Sequence, residues 1–303
     1  GLVVYSRAVS PHEPELLAAR AAGVPVISRG ELLAELTATK KLLAVAGAHG
    51  KTTTSGMCAQ LLVQADWEPT IVVGGHSLAL GTNARLGRGQ YVVAETDESD
   101  GSFLLLHPSL AIVTNIDREH LNYYGTVENV IAAFRQFIAQ IRPNGILIRC
   151  DDDPITRELP GRPQQIRYGI TSATADVRAT RIAAWGWGTE FDAMYQGQRL
   201  GTFRLRVPGQ HNVLNALGVL SAAIALDIPM QTAREALEAF RGTSRRFQMT
   251  QLPNDILFVD DYAHHPSEIR ATLSADPSTG RRRVVVFQPH RFSRVQSLEQ
   301  EFV

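Results

Sequence analysis

An α/β fold with a mostly parallel central sheet is predicted by three features of the chain. Short apolar runs recur without alternation, as strands buried on both faces do, at residues 42–46, 70–73, 90–95 and 110–115. Helical periodicity separates several of them, first through Met57, Leu61 and Leu62 and later over 127–141. A Gly-rich turn, Gly47-Ala48-His49-Gly50, joins the first run to Lys51-Thr52-Thr53-Thr54. That is the strand–loop–helix context of a phosphate-binding loop.

The elements follow in order. Residues 2–5 read as a strand, 13–22 as a helix, 24–27 as a short strand and 29–36 as a helix, with Pro11 and Gly23 between them. This tail is too small for its own core and reads as the end of a preceding α/β domain, 1–36. A larger α/β domain is expected over 37–244, with a further strand at 145–149. Beyond Pro160 the pattern alternates at 175–183, 189–195 and 202–207, which predicts a small antiparallel sheet. Residues 213–226 read as a buried helix and 230–240 as an amphipathic one. A new βα rhythm over 245–303 brings a strand at 256–261, a helix at 266–275, a strand at 283–288 and a helix at 295–302. Both ends read as cut, since Gly1 opens and Val303 closes the chain in mid-pattern.

At 303 residues the chain has room for roughly two domains. Thirty basic residues balance thirty acidic ones, so charge gives no argument for nucleic acid or a membrane as partner. Cys58 and Cys150 match no metal spacing and read as buried thiols of a reducing compartment. No apolar run approaches the ~18 residues of a membrane span, and no leader opens the chain. A soluble, cytoplasmic protein is expected.

The loop departs from the standard eight-residue form, because Val45 stands where its first glycine belongs; Gly47-x-x-Gly50-Lys51-Thr52 is a contracted version. Lys51 is expected to stand over the phosphate site as a free surface charge, and the Thr52 hydroxyl to ligate Mg²⁺. Glu95 opens a run of four acids in six residues at a strand's carboxyl end, where a carboxylate can hold Mg²⁺; a solvated loop is the plainer alternative. His120 closes a cluster after the next strand, as a second metal ligand or as an ordinary surface histidine. Asn212 and Asn215 share one helical face and could read a base edge or serve as a cap and a buried contact. Arg245-Arg246-Phe247 is either a phosphate bridge or a solvated hinge. Two further clusters each follow a strand: Asp260-Asp261-Tyr262-Ala263-His264-His265-Pro266, and Gln288 to Arg294 with Arg291 and Arg294 suited to carboxylate or phosphate.

Seven stretches in order resemble the Mur ligase family: 46–54, 95–104 (ETDESDGSFL), 114–120, 208–216, 245–248, 260–268 (DDYAHHPSE) and 287–294 (FQPHRFSR). The resemblance implies a central P-loop ATPase-like domain between a UDP-sugar-binding domain and the start of a Rossmann-like one. It implies ATP and Mg²⁺ as cofactors, with UDP-N-acetylmuramate and L-alanine as substrates joined through an acyl phosphate. Gly47, His49, Gly50, Lys51, Thr52 and Thr53 would then cradle the phosphates, Thr52, Glu95 and His120 hold Mg²⁺, and Asn212 and Asn215 face the adenine. Arg246, Asp261, His265, Arg291 and Arg294 would meet substrate and phosphates from the C-terminal side. Lys51, Glu95, His120, Arg246 and Asp261 would carry the catalysis. A ligase adding a preformed peptide to the same sugar nucleotide, or a nucleotide-binding module without ligation, are the alternative readings.

Overall fold

A computed structural model describes residues 1–275 and 282–302. It begins with β1 (Val3–Tyr5), α1 (Pro14–Ala21) and β2 (Val26–Ser28), the two strands paired in parallel. Next, α2 (Arg29–Ala38) starts with a capping box. The Glu31 N–H donates to Ser28 Oγ at 3.2 Å, and the Ser28 N–H donates to the Glu31 carboxylate at 2.6 Å.

A ten-stranded sheet follows. Its centre is built by β3 (Lys41–Ala46), α3 (Lys51–Gln64), β4 (Thr70–Ser77), β5 (Thr82–Arg85), β6 (Tyr91–Glu95) and β7 (Leu110–Val113). Then α4 (Leu121–Tyr124) and α5 (Val127–Ala139) lead to β8 (Ile146–Cys150), and α6 (Pro154–Arg157) leads to β9 (Gln165–Gly169). The predicted alternating segments are β10 (Val177–Trp185), β11 (Gly188–Tyr195) and β12 (Gln198–Leu205), antiparallel to one another. The spatial order is β12-β11-β10-β9-β8-β7-β3-β6-β4-β5, and the strands from β9 to β4 run parallel. Through β9 the antiparallel strands join this sheet, because Val177 and Arg178 pair in parallel with Tyr168 and Gly169. The sequence pattern predicts neither β5 nor β9: β5 is the polar edge Thr-Asn-Ala-Arg, and β9, Gln-Ile-Arg-Tyr-Gly, lacks an unbroken apolar run.

Both faces of the sheet are covered, which is why β3 reads as an unbroken apolar run. Leu43 and Val45 join a core with α3 and with α7 (Gln210–Ala225) and α8 (Met230–Ala239). Leu42, Ala44 and Ala46 point the other way, into a core with Phe103, Phe134 and Phe137. The last part of the chain forms an antiparallel pair, β13 (Gln248–Leu252) and β14 (Ile256–Asp260), followed by α9 (Pro266–Ala275).

Two expectations are corrected here. The predicted strand at 283–288 is not formed: Val284 and Val286 are 71% and 93% exposed. Apolar composition makes a strand only beside a neighbour that takes its N–H and C=O groups, and the described residues provide none. The predicted helix at 295–302 is two pieces, α10 (Phe292–Ser297) and α11 (Glu299–Phe302), broken at Leu298 (φ −121°, ψ 20°). Cys58 and Cys150 are buried free thiols. Among the described residues no helix is long and apolar enough to cross a membrane.

Candidate functional site

Strand register builds the site. Val45 lies opposite Glu95 on β6, and Ala46 lies opposite Val113 on β7. The carboxyl ends of β6 and β7 therefore flank the loop after β3. Strand order reverses there, with β6 and β4 on one side and β7 to β9 on the other. Open α/β sheets bind ligands in that crevice.

The loop bends at Gly47 (φ 138°) and Gly50 (φ 82°). A Cβ on Gly47 would lie 2.1 Å from Thr114 Oγ1, and one on Gly50 would lie 2.5 Å from Asn215 Oδ1, so neither position admits a side chain. The end of β7 holds the loop from outside. The His49 carbonyl accepts from Thr114 Oγ1 (2.7 Å) and Asn115 Nδ2 (3.0 Å), while the His49 N–H donates to Asn115 Oδ1 (2.8 Å). No side chain caps α3, an arrangement that suits an anion at the helix start. Thr53, in that first turn, lines the cavity above it.

Lys51 is not the free surface charge expected of it. Its ammonium donates to the carbonyls of Gly47 and Ala48 and to Glu98 Oε1 at 2.7 Å; the Glu98 side chain is 3% exposed. Burial works against the charge on Lys51, but Glu98 holds its pKa above the usual range. Thr52 Oγ1 donates to Glu95 Oε1 at 2.8 Å, and Glu95 Oε2 accepts from the Gly74 N–H. On the other side of Lys51, His120 Nε2 lies 3.3 Å from Glu98 Oε1 and 3.7 Å from Glu119 Oε2. Those three side chains form one group with metal-ligand spacing. His120 also takes a left-handed backbone (φ 57°), a cost a non-glycine residue carries mostly where geometry matters. Arg294 reaches the same group, 3.5 Å from Glu119 Oε1. Arg291 is exposed and stands outside it.

A second cluster joins the loop to the C-terminal segment. His49 Nε2 hydrogen-bonds Asp117 Oδ2 (2.9 Å), and His49 Nδ1 lies 3.4 Å from Glu268 Oε1. His265, 2% exposed, meets Ser267 Oγ through Nδ1, and Ser267 donates to Asp117 Oδ2 at 3.0 Å. Burial lowers the pKa of His265. Asp261 accepts from the N–H groups of Phe247 and Ala263, both at 2.7 Å, which holds the turn carrying Arg246. Burial raises the pKa of that carboxyl. Arg246 faces inward to Glu268 (3.5 Å), whereas Arg245 and Asp260 pair at 3.9 Å on the exposed side.

Between the two parts lies a cavity of about 240 Å³, lined among others by Gly50, Thr52, Asn212, Asn215, Arg246 and Asp261. Asn212 Nδ2 donates to the Pro208 carbonyl at 2.7 Å, and Asn215 Nδ2 donates to Asn212 Oδ1 at 3.3 Å. The polar contact and the cavity lining thus occur together. His211, on the same wall, is pushed down to about 4 by burial and stays neutral. Sequence reasoning assigned no role to Glu98, Asp117, Glu119, Ser267 or Glu268. Each lies within 95–104, 114–120 or 260–268, but acids beside acids read as a solvated loop, and a glutamate two residues after Pro266 reads as a helix-start residue.

The chain matches the Mur ligase middle domain over residues 45–223, the "Mur ligase, glutamate ligase domain" over 245–302 and the "Mur ligase family, catalytic domain" over 2–41. It is 46% identical to a UDP-N-acetylmuramate–L-alanine ligase of Desulforamulus reducens, covering 99% of this chain and 66% of that protein. Identity to the protein of the same name from Geobacter sp. strain M21 is 48%, over 100% of this chain and 66% of that one. The chain thus spans 66% of the length of these relatives. The crystal structure of the UDP-N-acetylmuramate-alanine ligase of Thermotoga maritima superposes with a TM-score of 0.86 at 32% identity, covering 98% of this chain and 69% of that one. A UDP-N-acetylmuramate:L-alanyl-gamma-D-glutamyl-meso-diaminopimelate ligase from Neisseria meningitides gives 0.72 at 26% identity, covering 80% and 79%.

Proposed function

The chain belongs to the Mur ligase family, and on that premise we propose that it serves an ATP-dependent ligase that joins L-alanine to the lactyl carboxylate of UDP-N-acetylmuramate in peptidoglycan precursor synthesis. The observation that carries this reading is one cavity lined by Gly50 and Thr52 of the phosphate loop together with Arg246 and Asp261 of the C-terminal segment. A site assembled from both parts suits a reaction that brings a triphosphate to a second substrate. In this reading residues 1–36 end a UDP-sugar domain, 37–244 bind ATP, and 245–303 open a Rossmann-like domain. Such chemistry is consistent with a cytoplasmic location.

The residues fit a magnesium nucleotide. Glu98 Oε2 is buried without a hydrogen-bond partner, an orphaned carboxylate oxygen that a nearby cation would satisfy. Thr52 and Glu95 offer the oxygen donors Mg²⁺ prefers and would hold one ion, and His120, across Lys51 with Glu98 and Glu119, would hold a second. Gly47, His49, Gly50, Lys51, Thr52 and Thr53 would cradle the phosphates, and Asn212 and Asn215 would face the adenine. Bound Mg-ATP supplies the phosphoryl group that activates a carboxylate as an acyl phosphate. The incoming carboxylate meets negative charge, so the Lys51 ammonium and the start of α3 lower that repulsion. Removing one such preorganised charge typically costs ~10²–10³ in rate. Arg246, Asp261, His265 and Arg294 would orient substrate from the C-terminal side.

Phosphate release by the full-length protein, supplied with UDP-N-acetylmuramate, Mg-ATP and either L-alanine or a preformed tripeptide, tests the reading. L-alanine should drive turnover. The weaker likeness to the Neisseria ligase keeps the peptide acceptor as the second reading, and turnover with tripeptide alone would establish it instead.

A further inference from the structure

Glu268 stands where three parts of the chain meet, in the first turn of α9. Its Oε2 accepts from the N–H groups of His264 (3.0 Å) and His265 (3.3 Å), which fixes the carboxylate against its own helix start. Oε1 turns the other way, 3.4 Å from His49 Nδ1 and 3.5 Å from Arg246 Nη1, with the side chain 13% exposed. Both partners are also held by groups other than Glu268. The His49 backbone is held by Thr114 and Asn115, and its Nε2 by Asp117. The Arg246 backbone lies between two left-handed residues, Arg245 (φ 60°) and Phe247 (φ 47°), in the turn that Asp261 holds. Glu268 Oε1 thus joins the loop imidazole to the guanidinium, beside a second bridge from α9 in which Ser267 Oγ lies 3.2 Å from His49 Nε2 and donates to Asp117 Oδ2.

We propose that Glu268 is a positioning residue for nucleotide binding, holding Arg246 beside the phosphate loop through His49 so that both face the same phosphates. The inference rests on reading the loop as the Mg-ATP site. A carboxylate aimed at a polyphosphate would repel it, so any benefit from Glu268 must run through its cationic partners. Helix capping alone is a weaker account, because it uses only Oε2 and leaves the Oε1 contacts unexplained.

Calorimetric titration of the chain with Mg-ATP provides the test. Glu268→Gln keeps an acceptor for the helix start but removes the charge, and should weaken binding roughly tenfold to hundredfold. Glu268→Asp, which keeps the charge on a shorter arm, should recover part of that loss. In an Arg246→Ala/His49→Ala background Glu268→Gln should cost less than about threefold, since the groups it acts through are gone. Equal losses in both backgrounds would assign Glu268 a structural role and overturn the proposal, as would an unchanged affinity in the single variant. Should Glu268→Gln fail to fold, Glu268→Asp compared across the same two backgrounds decides in the same way. An unsubstituted chain that does not bind Mg-ATP would reject the reading of the loop itself, and this inference with it.

Discussion

Lys51 and Glu98 show how a catalytic candidate can also be structural. The lysine side chain is 15% exposed and its partner 3%. Removing one member of a buried pair leaves the other charged without compensation, which costs about 3–5 kcal/mol. Lys51→Ala should therefore abolish turnover and also lower the urea midpoint, whereas Lys51→Ala/Glu98→Gln should recover much of the stability without activity. An unchanged midpoint in Lys51→Ala would show that the pair contributes nothing to the fold. His49 supplies a pH-dependent counterpart. Burial opposes its charge, yet hydrogen bonds to Asp117 and Glu268 raise its pKa from 6.5 to about 9. The folded state thus holds the proton more tightly than the unfolded chain. The resulting stabilisation is full below about pH 6.5 and fades as pH rises through about 9. The stability gap between wild type and His49→Gln should be widest near pH 6 and narrow toward pH 10, within the typical range of such contacts. A gap independent of pH would mean that His49 is neutral in the folded protein.

At the scale of elements, α5 seals the face of the sheet opposite α3. Phe134 and Phe137 meet Phe103 with ring centroids 5.2 and 5.0 Å apart, and all three are buried. The Phe103 turn follows directly on the acidic loop, and the Phe103 N–H donates to the Asp97 carbonyl at 3.1 Å, so this packing also anchors the residue before Glu98. Phe134→Ala should cost about 3–5 kcal/mol through lost burial and the cavity left behind. Chemical denaturation measures this directly; a loss under about 1 kcal/mol would mean that the site collapses to fill the void.

For the molecule as a whole, the nucleotide reading predicts ligand-linked stability. A site that binds Mg-ATP only when folded gains about 2.7 kcal/mol at a ligand concentration 100 times Kd. Thermal unfolding should shift upward with Mg-ATP, less with ATP plus EDTA, and hardly at all in Lys51→Ala. No shift at saturating Mg-ATP would count against the cavity as a nucleotide site.

Local patterning by itself determined the α/β class, most of the parallel strands and the loop around Gly47 and Gly50. Buried strands must be apolar throughout, and a sharp turn into an uncapped helix needs glycine, so each leaves its mark within a few residues. Motif order along the chain likewise carried the resemblance to the Mur ligases. Tertiary structure alone decided the partners. The pairing of Lys51 with Glu98, of His49 with Asp117 and Glu268, and of Arg246 with Glu268 depends on strand register and on how the C-terminal segment packs, across as many as 219 positions of sequence. The unformed strand at 283–288 has the same cause: a strand is a property of two neighbouring segments, and a sequence window contains only one.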